Sequence, residues 1–180
     1  MSAPGITQPS DRSFESALAC VHVGPADFDL STEVAKLRAG DPGIGAVVSF
    51  VGTVREWRGD QADASAPSIM ELEHYPGMTE RSIAQIIVDA WQRFDVRGVR
   101  VIHRVGPLAV SDQIVLVAVT SAHRGQAFQC AEFLMDWLKT QAPFWKKESA
   151  GGDSRWVDAR TADDEAAARW GVNSSEKLPI

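Results

Sequence analysis

TERSIAQIIVDAWQRF, residues 79–94, carries Ile83, Ile86, Ile87, Ala90, Trp91 and Phe94 at the spacing of one helix face, and Gly98 follows as a stop. A helix with a single apolar face must bury it against another layer. The residues downstream supply that layer. Residues 99–103 and 113–120 are apolar, β-branched runs joined across Gly106-Pro107 and Ser111-Asp112, and they read as two strands. From Gly125 onward, Ala127, Phe128, Ala131, Leu134, Met135 and Leu138 form a second apolar stripe that ends near Thr140. Strands interspersed with two long amphipathic helices predict an α+β fold of two layers with a mixed or antiparallel sheet.

Working outward, residues 45–55 (GAVVSFVGTVR) read as a buried strand interrupted by Gly52 and emerging at Arg55. Gly43 and Gly45 precede that strand and no third glycine follows, so a dinucleotide-binding loop is rejected. Residues 56–67 form a polar loop, and residues 69–74 alternate as a returning strand, which predicts a hairpin with 45–55. Nearer the N-terminus, residues 19–23 make a first short strand before Gly24-Pro25, and residues 30–39 a helix capped by Ser31 and stopped by Gly40. At the other end, residues 148–153 read as a loop centred on Gly151-Gly152 and residues 155–159 as a last strand. Thr161 and Asp164 form a capping box for a short helix over 165–170. The resulting organisation is a mobile leader (1–18), one domain (19–171) and a disordered tail (172–180).

The chain has 180 residues, 44% of them hydrophobic and 23% charged, enough for one domain with a substantial core. A net charge of -6 argues against a nucleic-acid surface, which needs a basic face to displace counterions. No apolar window approaches membrane-spanning length and no signal peptide is evident, so the expected setting is the cytoplasm. Cys20 and Cys130 lack zinc-like or CxxC spacing. Cys130 falls among apolar helical positions and reads as an inert buried thiol. No GxSxG elbow or HExxH helix occurs, so a protein-borne nucleophilic Ser or Cys has no support.

Against this acidic background, three of only five lysines, Lys139, Lys146 and Lys147, crowd into LKTQAPFWKKE, residues 138–148. Pro143 prevents the preceding helix from continuing. Two readings of Lys139 stand: a cation that offsets the dipole at a helix C-terminus, or a lysine partly desolvated by Phe144 and Trp145 and able to hold an anion or lose a proton. Lys146 and Lys147 are adjacent in an extended segment and point opposite ways, so at most one shares a pocket with Lys139. The alternative for both is a solvated basic turn beside Glu148. His123-Arg124 precedes the second helix, whose unpaired N–H groups attract anions, and this pair is either a phosphate or carboxylate site or an ordinary strand end. Arg55 offers the same choice. His103-Arg104, with no helix start after it, reads as structural.

Six segments in order, GAVVSFVGTVR, LEHYPGMTE, VIHRVGPL, VTSAHRGQAF, MDWLKTQAPFWKKE and RWVDAR, closely resemble the large, catalytic subunit of molybdopterin synthase, over residues 21–170. The resemblance implies an α+β homodimer within a heterotetramer, each large subunit carrying a small ubiquitin-like sulfur carrier that ends in a Gly-Gly thiocarboxylate. It implies transfer of two sulfurs to cyclic pyranopterin monophosphate, forming the dithiolene of molybdopterin, without a cofactor or metal. It further implies Lys139 as the main catalytic lysine and Lys146 as its partner. Thr53, Val54, Arg55, His123, Arg124, Lys147 and Glu148 would line the substrate site with them, and Arg160 would approach the phosphate. Both the cyclic phosphate and the thiocarboxylate are anions, which suits a pocket of Lys, Arg and His. Ser111 stands in a turn where a glycine is expected in relatives.

A helix over residues 125–140 would be about 24 Å long, placing His123-Arg124 and Lys139 at opposite ends. The expectation is therefore a composite pocket, with Lys139, Lys146 and Arg55 from one chain and His123-Arg124 from its dimer mate. The rival expectation is a non-catalytic module that clamps a ubiquitin-like tail.

Overall fold

A computed structural model describes residues 11–56, 69–150, 153–157 and 168–171, which contain four helices and eight strands. The first sheet has the order β1-β4-β6-β2, formed by β1 (Val21–Gly24), β2 (Ala46–Thr53), β4 (Gly98–Arg104) and β6 (Gln113–Ser121). It is mixed: β1 runs parallel to β4, whereas β4 and β2 are both antiparallel to β6. β6 is central because both of its faces are apolar. Val115, Val117 and Val119 pack into the cluster that includes α3 (Met78–Arg93) and α4 (Arg124–Thr140), while Leu116 and Ala118 meet Leu37 of α2 (Leu30–Arg38). α3 buries Ile83, Ile86, Ile87, Ala90 and Trp91, the face that its sequence spacing marks out.

A second sheet has the order β5-β3-β7-β8, from β3 (Ile69–His74), β5 (Gly106–Ala109), β7 (Phe144–Ala150) and β8 (Asp153–Val157), all antiparallel neighbours. This partition corrects the expected single sheet and the expected hairpin. β3 does not return along β2; it pairs with β5 and β7. Alternation identifies a strand but carries no information about its partner, and a long connection frees β3 to join another sheet. β5 lies inside the turn expected between β4 and β6. Lys146, Lys147 and Glu148 lie in a strand and not in a basic turn.

Other corrections are local. The helix at 30–38 is capped by Asp29, whose carboxylate accepts the Thr32 N–H at 2.7 Å, and not by Ser31. β2 is only partly buried, with Phe50 41% exposed, because it is an edge strand among the described residues. The expected mobile leader is docked from Arg12 onward. Ser13 caps α1 (Phe14–Ala19), Ala17 is fully buried, and the Arg12 guanidinium donates to the Trp91 and Val96 carbonyls at 2.6 and 2.9 Å. Trp91 lies in the last turn of α3 and Val96 just beyond its C-cap, so a short polar segment is held by backbone acceptors that sequence reading cannot see. Ser111 adopts φ 74°, the left-handed conformation that accounts for a glycine being expected there. The capping box at Thr161, the helix over 165–170 and the tail fall largely outside the described residues.

Phe133 sits at the centre of the main core, 1% exposed, with its ring 5.6 Å from both Phe94 and Trp170. Phe133→Ala is expected to cost about 3–5 kcal/mol, read as a drop in the denaturant midpoint at unchanged slope.

Candidate functional site

α4 follows β6 after a tight turn at Ala122-His123 and packs back along β6 and β2. Since β2 is antiparallel to β6, α4 runs in the same direction as β2. The start of β2 therefore lies beside the N-terminus of α4, and its end lies towards Lys139. α4 is unbroken over 17 residues, so these ends are about 25 Å apart.

At the first end, Gly45, Ala122, His123, Arg124 and Gly125 line an open cavity of about 420 Å³. Gly45 donates its N–H to the Ser121 carbonyl at 3.0 Å, and a Cβ there would collide with the Ala122 carbonyl oxygen. His123 is the N-cap residue but its side chain makes no capping bond, and the first turn of α4 holds no acidic residue. Ser121 Oγ shapes the turn, donating to the Asp95 carbonyl at 2.8 Å and accepting the His123 N–H at 3.2 Å. His123 and Arg124 are both exposed. An exposed helix N-terminus with two adjoining cationic or ionisable side chains can bind an anion.

At the second end, Lys139 occupies the last turn of α4 and is exposed in the single chain, so of its two readings the one that needs desolvation by Phe144 and Trp145 is not seen here. Phe144 is committed elsewhere, stacked on His103 at 3.8 Å between ring centroids, and Trp145 is 43% exposed on the outer face of β7. β7 is aligned by its pairing with β3, which sets Lys146 opposite Leu72 and Lys147 opposite Glu71. Leu72 packs with Val54, Met70 and Leu108, so Lys146 shares its face with the cluster onto which β2 delivers Arg55. Lys147 occupies the opposite face as part of a cross-strand pair of unlike charge. Val54 is a core residue, 5% exposed, with its N–H given to the Asp112 carbonyl and its C=O taken by the Ser111 N–H. It anchors the strand exit, and any part it takes in lining the site falls to its backbone carbonyl, which keeps a second lone pair. Thr53 and Arg55 are exposed. Glu148 pairs in register with Met70. Arg160 lies outside the described residues.

The structure thus brings Arg55, Lys139 and Lys146 towards one end of the molecule and His123 with Arg124 to the other. Two groups near the lysines went unread in sequence. The Gln141 amide nitrogen, at the end of α4, is buried with no hydrogen-bond partner. Asp136, one turn before Lys139, accepts from Trp170 Nε1 at 2.8 Å and Arg169 at 3.0 Å, tying the chain after β8 to the lysine-bearing helix. Neither follows from spacing, because both depend on chain segments brought together only by folding.

Burial pushes the Cys130 thiol up to about 12 and the Cys20 thiol up to about 11, so neither is a nucleophile at neutral pH. His103 is pushed down to about 4, chiefly by burial, with His74 adding repulsion and the Arg104 carbonyl opposing. Its folded pKa lies below the ordinary value near 6.5, so unfolded chains bind a proton in that window and folded ones do not. Stability is therefore expected to fall as pH drops from about 6.5 towards 4, and His103→Phe should lack that component. Denaturant midpoints at pH 7.5 and pH 5 measure the difference.

The family model described as MoaE protein matches residues 23–141. The chain is 59% identical over 152 residues to the molybdopterin synthase catalytic subunit of Ralstonia nicotianae, covering 84% of each. Its fold matches the molybdopterin cofactor biosynthesis protein E of Burkholderia multivorans with a TM-score of 0.70 at 52% identity, covering 85% of this chain and 97% of that one. It also matches the crystal structure of molybdopterin synthase from Staphylococcus aureus with a TM-score of 0.67 at 31% identity, covering 76% and 95%. With about two thirds of the chain under the family model and 59% identity over 84% of the Ralstonia nicotianae relative, this chain belongs to the MoaE family of molybdopterin synthase catalytic subunits.

Proposed function

We infer that this protein is the catalytic subunit of a molybdopterin synthase, a sulfurtransferase that moves sulfur from the thiocarboxylated tail of a small ubiquitin-like subunit to cyclic pyranopterin monophosphate. The observation that carries the site reading is the unbroken α4, which holds two cationic groups about 25 Å apart. Neither group alone matches a substrate and a donor that are both anionic. Lys139, Lys146 and Arg55 form one half-site; His123 and Arg124, at a helix N-terminus, form the other.

A homodimer joins the halves. Among the described residues β2 is an edge strand, and exposed Phe50 on it and Phe128 on neighbouring α4 give that edge an apolar flank, 41% and 61% accessible. A twofold axis through the middle of β2 would pair it antiparallel with its mate, setting Ala46 of one chain opposite Thr53 of the other. The His123-Arg124 end of each chain then meets the Arg55-Lys139 end of its mate. In that pocket Arg124 and the α4 N-terminus hold the phosphate. Lys139 and Lys146 hold the thiocarboxylate and stabilise charge as sulfur is transferred, with Lys139 acting as an acid/base or briefly carrying the acyl end. The site is assigned to the cytoplasm, in keeping with two free, buried cysteines.

The deciding experiment mixes the protein with thiocarboxylated small subunit and cyclic pyranopterin monophosphate and follows molybdopterin. Product is expected. Binding of the small subunit's tail with no turnover would instead identify a carboxylate clamp.

A further inference from the structure

Lys139 and Arg55 are carried by elements of the first sheet's layer, whereas Lys146 is carried by β7 of the second sheet. No strand is shared between the two sheets among the described residues, so beyond the short 141–143 connection from α4 to β7 it is the side chains at the junction that set the separation of the two lysines. One part of that junction is the small apolar cluster of Val54, Met70, Leu72 and Leu108. The other lies at the root of β7. There the Pro143 carbonyl accepts from Thr79 Oγ1 at 3.2 Å, and the ring of Phe144 lies on the imidazole of His103 at 3.8 Å and 19°. His103 belongs to β4 of the first sheet, and Phe144 precedes Lys146 by two residues on the same face of β7.

The imidazole is well suited to locate that strand. It is 9% exposed, and its Nδ1 lies 2.9 Å from the Arg104 carbonyl, which can only accept, so Nδ1 carries the proton and the plane of the ring is set. A ring fixed by its own hydrogen bond presents a rigid platform to Phe144. It is too enclosed, and its proton too committed, to exchange protons with substrate. We propose that His103 is a positioning residue of the synthase reaction: through its stack on Phe144 it sets the height of β7 and hence the placement of the Lys146 ammonium relative to Lys139. This rests on the assignment of Lys146 to the reacting site. Displacement of a reacting group by about 1 Å can cost on the order of 100-fold in rate, so loss of the platform should act on turnover more than on binding.

The test measures kcat and KM for cyclic pyranopterin monophosphate in the reconstituted complex, normalised to folded protein by thermal unfolding, for His103→Ala, His103→Phe, Phe144→Leu and Lys146→Ala. His103→Ala and Phe144→Leu are expected to lower kcat by roughly 10–100-fold with KM within about threefold, and His103→Phe, which keeps a stacking ring, to stay within about threefold of wild type. Should His103→Ala not fold, Phe144→Leu carries the same comparison. Wild-type kcat per folded molecule in either, alongside an inactive Lys146→Ala, would overturn the positioning role while leaving the lysine assignment intact. Full activity in Lys146→Ala would overturn the lysine assignment and this inference with it.

Discussion

Lys139→Ala is expected to lower the rate of molybdopterin formation by about 10²–10⁴-fold while leaving the fold in place. The side chain is exposed on the last turn of α4, so its removal creates no cavity. The other reading of the same residue, a cation offsetting the helix dipole, amounts to about 0.3–1 kcal/mol of stability and nothing in rate. The two readings thus separate by measurement: a single-turnover assay with thiocarboxylated small subunit, set beside an unfolding curve. A large loss of rate at near-normal stability supports the catalytic role, whereas a slightly less stable protein with undiminished product removes it. Lys139→Arg sharpens the result. It keeps the positive charge but cannot give up its proton or form an acyl adduct, so recovery by arginine would identify pure charge stabilisation.

Mixing Lys139→Ala with Arg124→Ala chains, each inactive alone, is expected to restore about a quarter of wild-type activity after subunit exchange. If each pocket takes Lys139 from one chain and Arg124 from its mate, a heterodimer has one pocket with both defects and one with neither. About half the dimers in an equal mixture are heterodimers, each with one of two pockets intact, which gives the quarter. A site complete within one chain yields no recovery, since every pocket then retains a defect. Native mass spectrometry of the mixture confirms that heterodimers formed, so a null result would count against the shared pocket and not against exchange.

Much of this was legible before folding was considered. The spacing in residues 79–94 and 125–140 matched α3 and α4 within a residue or two, and β4 and β6 lay where β-branched runs put them. These elements announce themselves because their periodicity is local and each buries a continuous face. The hairpin of β2 with β3 did not form, because strand pairing is a choice among distant partners of similar pattern. β5 was missed inside a Gly-Pro turn, and α1 inside a polar leader, since four to six residues carry too little periodicity to read. For the site, strand alternation predicted that Lys146 and Lys147 diverge, and the register confirms it. In sequence Val54 is equivalent to its exposed neighbours Thr53 and Arg55; only the structure shows it buried, with its backbone bonded to Ser111 and Asp112.

By itself the sequence determined the residue types of a candidate anion site, the family, and the length of the helix between His123-Arg124 and Lys139, because chemistry, motif order and rise per residue are all properties of the chain. The tertiary structure alone decided that Arg55 and Lys146 gather at the Lys139 end of that helix, that Gly45 and the α4 N-terminus form the opposite cavity, and that β2 stands at an edge between them among the described residues. Those are questions of which distant segments share a sheet. They are settled by burying two apolar faces of β6 and one of β3 at once, a condition on the whole chain that no local pattern expresses.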